Sequence, residues 1–219
     1  GTASQARLPA NGTQAPFGAR TDSGGLQLVL VPVQWNGDGS GRLPDTSQAQ
    51  LDLIARLLKS LYPLTQLDIT VHAPLDYRGG YTFTGNVDFG DVNAELQSLR
   101  QTDNAPPEAY YYGLVAPEAT FSDYCGRSCV TGQSYVPDNP ADADLRVGSG
   151  QGWSGEDAVW TLAHEVGHEL GRYHAPCSAG GADPDFPYSG GGIGVWGYDQ
   201  RTGVFMSPND QSDFMGYCD

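Results

Sequence analysis

The chain has 219 residues and a formal net charge of −15, from 11 basic and 26 acidic side chains. That balance argues against a nucleic-acid surface, which needs clustered Lys and Arg, and disfavours an anionic membrane face, so neither partner is expected. The best apolar run, Leu26 to Val33, is far short of the roughly 20 residues of a membrane span. The 30 glycines and 15 prolines predict a loop-rich, acidic, soluble protein, folded rather than disordered. Its length suits one domain with a real core.

Residues 1–25 are polar and carry Gly, Pro, Ser and Thr. They read as an N-terminal arm or propeptide remnant, with a glycosylation sequon at Asn11-Gly12-Thr13 that matters only in a eukaryotic secretory pathway. No signal peptide precedes Gly1, so a secreted origin implies a processed or trimmed chain. Leu26 to Val33 predicts a buried first strand. Asn36 to Gly41 is a turn. Thr46 or Ser47 caps a helix to about Leu61, with Leu51, Ile54, Leu57, Leu58 and Leu61 at helical spacing and Pro63 as its stop. A second strand follows at Leu67 to His72, and a shorter helix at Asp91 to Gln101. Ala109 to Val115 reads as a central strand whose Tyr110, Tyr111 and Tyr112 face alternate sides. Phe121 to Val136 holds a small cysteine loop and an edge strand, Thr131 to Val136. Strands alternating with helices predict a mostly parallel, twisted sheet.

The four cysteines, Cys125, Cys129, Cys177 and Cys218, allow three pairings. Spacing favours Cys125–Cys129 as a local loop and Cys177–Cys218 as a long staple, and an even count fits an oxidising, extracellular compartment. A cysteine zinc site is disfavoured, because neither pair has CxxC spacing.

The pattern changes after Gln151. Ser154 and Asp157 resemble a capping box, with Asp in place of Glu or Gln, and predict a helix to about Leu170. Val159, Leu162, Ala163, Val166 and Leu170 share one sector of that helix. His164 and His168 lie about 140° and 180° from Val159, on the opposite side. Spaced i, i+4, their imidazoles sit one turn apart and can reach one metal ion. Gly171 can take the left-handed conformation that ends the helix and returns His174 as a third ligand. Glu165 stands beside the pair, placed to act on a water rather than to bind metal. An HExxH string alone arises by chance on solvated helical faces. Here it is extended at fixed offsets and contains three of the chain's four histidines. His72, in a strand, reads as a structural or surface residue.

His164 to His174, HEVGHELGRYH, resembles HExxHxxGxxH, the signature of the metzincin clan of zinc metallopeptidases. Asp213-Phe214-Met215-Gly216-Tyr217-Cys218 is similar to the clan's Met-turn, in the Met-x-Tyr form of astacin-, serralysin- and pappalysin-like members. The resemblance is tight over 164–174 and 213–218 and assigns no subfamily. It implies an α/β (α+β), two-lobed catalytic domain over 26–219. An upper lobe (26–171) holds the sheet, helices and active-site helix, and a small irregular lower lobe follows (172–219). A Cys177–Cys218 bridge ties the lower lobe together, as in some adamalysin-like and pappalysin-like relatives.

The resemblance further implies one catalytic zinc on His164, His168 and His174, and peptide-bond hydrolysis with Glu165 as general base. Tyr217 is implied to stabilise the oxyanion, with packing near the C-terminus as the alternative. Met215 has a packing role. A secreted monomeric endopeptidase acting on a protein or peptide is expected. The alternatives are a zinc hydrolase with a narrow glycoprotein or cell-wall peptide target, and a catalytically silent zinc module. Extended substrates of the clan add to an edge strand, here Thr131 to Val136 or the segment Leu145 to Val147. Ala175 to Asn209 is expected to wall the pocket after the cleaved bond. Phe186, Tyr188, Trp196, Tyr198 and Phe205 are candidates to line a specificity pocket there, with at least half expected instead in a small lower-lobe core. Asp138, Asp142 and Asp144 are candidate calcium ligands, but their spacing is not an EF-hand loop and a solvated acidic surface is preferred.

Overall fold

The computed structural model describes residues 25–126 and 128–218. The expected N-terminal arm, Gly25 apart, and the Asn11 sequon lie outside the described residues. The first strand, β1 (Leu26–Trp35), is buried along most of its length. Its parallel partners are β2 (Leu67–Val71), β3 (Leu75–Tyr77) and the central β4 (Ala109–Val115). Pro32 stands where the outer neighbour of β1 changes from β2, paired up to Leu30, to β3, paired from Val33. A residue without an N–H is tolerated at such a gap in the ladder.

The sheet order is β2-β1-β4-β6-β5, with β3 also on β1. The strand β6 (Val147–Gln151) runs parallel to β4, and β5 (Gly132–Ser134) pairs with β6 in the antiparallel sense. The mostly parallel sheet with flanking helices is therefore as expected from the alternation of elements. The short β5 is the outer strand on the β6 side. The segment Leu145 to Val147 is not an edge, because Val147 opens β6, which lies between β4 and β5.

Each face of the sheet is covered. On one side, helices α1 (Gln48–Leu61) and α4 (Glu156–Glu169) pack Ile54, Leu57, Leu58, Val159, Leu162 and Val166 against β1 and β4. On the other, α2 (Phe89–Thr102) packs Val92 and Leu96 against the sheet. Each such leucine, fully removed from water, contributes about 2 kcal/mol. Tyr112 belongs to the first cluster and Tyr111 to the second, with Tyr110 half-buried beside Tyr112. A short turn of helix, α3 (Phe121–Tyr124), precedes the cysteine loop.

Ser47 caps α1 as expected, accepting from Gln50 N. The start of α4 departs from expectation. The Ser154 hydroxyl donates to Asp45 at 2.6 Å instead of closing a capping box with Asp157. Gly155, at φ 113°, is the N-cap and offers no side-chain cap. Its backbone is held from outside: the N–H donates to Gln50 Oε1 at 3.0 Å and the carbonyl accepts from Gln50 Nε2 at 3.1 Å. A tertiary contact from α1 thus replaces the local cap. Leu170 also departs from its sector. It is the C-cap of α4 and exposed, because the chain turns away at Gly171.

Beyond α4 the described chain is irregular apart from a short 3-10 turn at Ser189–Gly191 and one hairpin, β7 (Gly197–Asp199) with β8 (Val204–Met206). The expected aromatic core of this segment is not present. Tyr188, Trp196, Tyr198 and Phe205 are all exposed, Trp196 at 68% and Phe205 at 70%. A lone two-stranded ribbon has no second layer to close over these rings. The segment is anchored instead by buried Ala175, Cys177 and Met215 and by the Cys177–Cys218 disulfide. That bridge and Cys125–Cys129 are both as expected from spacing. Among the described residues, no helix is long and apolar enough to cross a membrane.

The Cys177–Cys218 bridge closes a sequence separation of 41 residues, for which chain entropy gives ~4 kcal/mol. Replacing both cysteines by serine should lower the urea midpoint by the corresponding amount. An unchanged midpoint in chemical unfolding would show that Ala175 and Met215 hold the segment unaided.

Candidate metal centre

The polar face of α4 presents His164, Glu165 and His168. The helix then ends in a Schellman turn: Arg172 N–H donates to Gly167 O at 3.0 Å, and Gly171 N–H to His168 O at 2.8 Å. Gly171 has φ 83°, which a residue with a Cβ rarely adopts. The reversal carries His174 back toward the helix. One ring nitrogen from each of His164, His168 and His174 lies within 4.8 Å of the others, and among the described residues this is the only such group of three. His72 is elsewhere, paired with Asp103 at 3.3 Å. Asp138 and Asp144 do not converge with Asp142; they accept from Tyr173 and Gln97 respectively.

Each imidazole is fixed by its own carbonyl. His164 Nδ1 meets Phe214 O at 2.8 Å, His168 Nδ1 meets Arg172 O at 2.7 Å, and His174 Nδ1 meets Gly180 O at 2.6 Å. A carbonyl only accepts, so each ring carries its proton on Nδ1 and turns an Nε2 lone pair inward. His168 Nε2 and His174 Nε2 are 3.0 Å apart. The buried His164 Nε2 has no hydrogen-bond partner. Burial pushes His168 down to about 4 and holds His164 below the usual imidazole range, so neither ring is an imidazolium near neutral pH. Three lone pairs aimed at one point repel one another unless a cation lies between them. The donor set fits zinc, which takes imidazole nitrogens and leaves a position open in sites with three protein ligands. Calcium prefers oxygen donors, and among the described residues no carboxylates gather into a comparable set.

Beneath the rings, Met215 is fully buried against Gly167. A Cβ at Gly167 would overlap the Met215 sulfur, so this glycine permits the close approach of helix and turn. Tyr217 lies beside the triad, its hydroxyl 3.1 Å from His174 Nε2 and its side chain exposed.

Glu165 is only 6% exposed and packs against Gly132 of β5, where a Cβ would come within 2.8 Å of its Oε1. Burial pushes its carboxyl up to about 8; a nearby divalent cation acts in the opposite direction. One turn on, Glu169 is 1% exposed, and burial raises its carboxyl well above the usual range. Neither of its oxygens has a hydrogen-bond partner, nor does Tyr112 Oη nearby, while Ser134 lies beside Glu165 and acts on its carboxyl against the effect of burial. Gly148 and Gly150 of β6 clear the space these groups fill. This polar chamber behind Glu165 went unread in the sequence. Its signals were the i, i+4 spacing of Glu165 and Glu169 and the two glycines of β6. In front of Glu165 and His164 a groove of about 1090 Å³ runs past Gly132, Trp160, Tyr198 and Phe214.

Residues 139–217 match the family model described as Peptidase M66. That span includes His164, Glu165, His168, His174, Met215 and Tyr217. The match and the histidine triad together support a metallopeptidase. No curated protein matches the chain. Among solved structures it is similar to metalloproteinase-II from Bacteroides fragilis, with TM-score 0.43 and 17% identity over 68% of this chain and 43% of that one. A structure titled as a chaperone–substrate complex has TM-score 0.43 and 16% identity over 90% of this chain and 28% of that one. The chain thus spans less than half the length of either.

Zinc titrated into the metal-stripped protein should bind with one equivalent per chain at submicromolar Kd, and His168→Ala should abolish that site. Equal binding by the variant, followed by calorimetry, would show that the triad is not the ligand set.

Proposed function

We propose that the protein is a secreted zinc endopeptidase of the metzincin type, with residues 26–219 as its catalytic unit. The observation that carries this reading is the convergence of three Nε2 lone pairs beside a buried carboxylate at the wall of an open groove. His164, His168 and His174 would hold the zinc. When bound, zinc supplies a Lewis acid that polarises a carbonyl and makes water acidic enough to attack near neutral pH.

The remaining chemistry falls to the chain. Glu165 takes the proton from the attacking water and delivers it to the leaving amine. Its packing against Gly132 limits the positions its carboxylate can occupy. Tyr217 donates its O–H to the oxygen that gains charge in the transition state, after giving up its contact with His174. The outer strand β5 lies along the same groove and offers an extended substrate a backbone to pair with. The two disulfides support an oxidising, extracellular setting.

The test is digestion of a denatured protein mixture with and without a zinc chelator, the product termini being read by mass spectrometry. Cleavage should be chelator-sensitive. Glu165→Ala should retain zinc and lose about 10²- to 10⁴-fold in turnover. Tyr217→Phe should lose less, about 10²-fold at most, mostly in kcat. Undiminished cleavage by a clean Glu165→Ala preparation would overturn the assignment. A zinc-loaded protein that cuts no denatured chain would point to a narrow substrate, and to a silent module if native glycoproteins also survive.

A further inference from the structure

Arg172 occupies a variable position in HEVGHELGRYH, between Gly171 and Tyr173, and nothing in the proposed chemistry requires an arginine there. Its contacts are nevertheless specific at both ends of the residue. The backbone carbonyl accepts from His168 Nδ1 at 2.7 Å. The guanidinium donates to Asp213 Oδ2 at 3.0 Å and lies over the Phe214 ring, 5.2 Å from its centre. The other oxygen of Asp213 accepts from Met215 N–H at 2.9 Å. Between them, Phe214 O accepts from His164 Nδ1 at 2.8 Å. One residue therefore joins the carbonyl that orients His168 to the turn whose carbonyl orients His164.

We propose that Arg172 is a positioning residue that sets two of the three histidines together, His168 through its carbonyl and His164 through Asp213 and the Phe214 carbonyl. The inference rests on the metal reading of the triad. The sheet does not supply this alignment. The 213–216 segment lies outside regular secondary structure. It is anchored by Asp213 N–H on Gly191 O at 2.7 Å and Ala175 N–H on Met215 O at 3.0 Å, and within it contacts of the turn set the Phe214 carbonyl. Asp213 supplies two: its carboxylate bridges Met215 N–H and the guanidinium, and its carbonyl accepts from Gly216 N–H at 2.9 Å. Phe214 is held from above by Arg172 and from the side by an edge-on contact with Tyr62 at 5.6 Å. The pair is only partly buried, with side-chain exposures of 38% for Arg172 and 19% for Asp213. An ion pair this exposed adds little to global stability. Its effect should fall on the orientation of metal ligands, where groups that orient a ligand typically change affinity about 10- to 100-fold. Lysine cannot reproduce a planar group that donates to Asp213 while covering Phe214.

The test is zinc affinity, measured by competition with a chromophoric chelator, for the wild type, Arg172→Leu, Arg172→Lys, Asp213→Asn and the double variant Arg172→Leu/Asp213→Asn. Cobalt absorption spectra of the same proteins report ligand geometry independently of activity. Each single variant should lose about 10-fold or more in affinity, with lysine giving only partial rescue. The double variant should lose little more than the worse single one, because both break one connection. The cobalt bands should shift, while the urea midpoint of each metal-free variant stays near wild type. Affinities within twofold of wild type with an unchanged cobalt spectrum would overturn the proposal, as would strictly additive losses. If a variant fails to fold, the near-isosteric Asp213→Asn decides alone. A wild-type protein that binds no zinc fails the metal reading itself, a result separable from any effect of Arg172.

Discussion

Three imidazole rings held by three backbone carbonyls determine the character of this molecule. A carbonyl that fixes Nδ1 also fixes the tautomer, and so decides where the lone pair of Nε2 points. Three lone pairs aimed together are unfavourable in a protein alone, so the surroundings must hold them in place. The three carbonyls come from separate stretches, at Phe214, Arg172 and Gly180. None belongs to a strand of the main sheet or to α4. The irregular C-terminal segment is therefore required to present the rings that the helix and its turn carry.

That requirement explains how the segment is built. It has almost no regular backbone pairing and leaves its larger aromatic rings in solvent. It is held instead at a few points near the triad: the Cys177–Cys218 bridge, Met215 against Gly167, and Ala175 N–H on Met215 O. The sheet and α1 serve the opposite end of the arrangement. They bury one side of α4 and, through Gln50, fix its start at Gly155. Of the aromatic residues left exposed on the hairpin, Tyr198 forms one wall of the groove in front of Glu165.

Much of this was legible in the sequence because it rested on local periodicity. The buried strand at Leu26, the helix capped by Ser47, the central strand with three tyrosines, and the histidine face opposite Val159 all follow from spacing. The two disulfides followed from arithmetic on four cysteines. What escaped depended on distant partners. The strand β6, Val-Gly-Ser-Gly-Gln, has no apolar alternation, since its glycines exist to admit Tyr112, Ser134 and Glu169. The Ser154 cap lost to a tertiary contact with Asp45. The lower-segment aromatics were assigned to a core that a lone hairpin cannot enclose. Arg172 and Asp213, 41 residues apart, meet only once the Gly171 turn and the Met215 turn are both in place.

The proposed centre is tested most directly by zinc K-edge X-ray absorption on the zinc-loaded protein. It should show three imidazole nitrogens and one further light ligand at about 2.0–2.1 Å, with the multiple-scattering features of imidazole. Sulfur at about 2.3 Å, or a shell of oxygens without imidazole scattering, would place the metal away from His164, His168 and His174 and contradict the central claim.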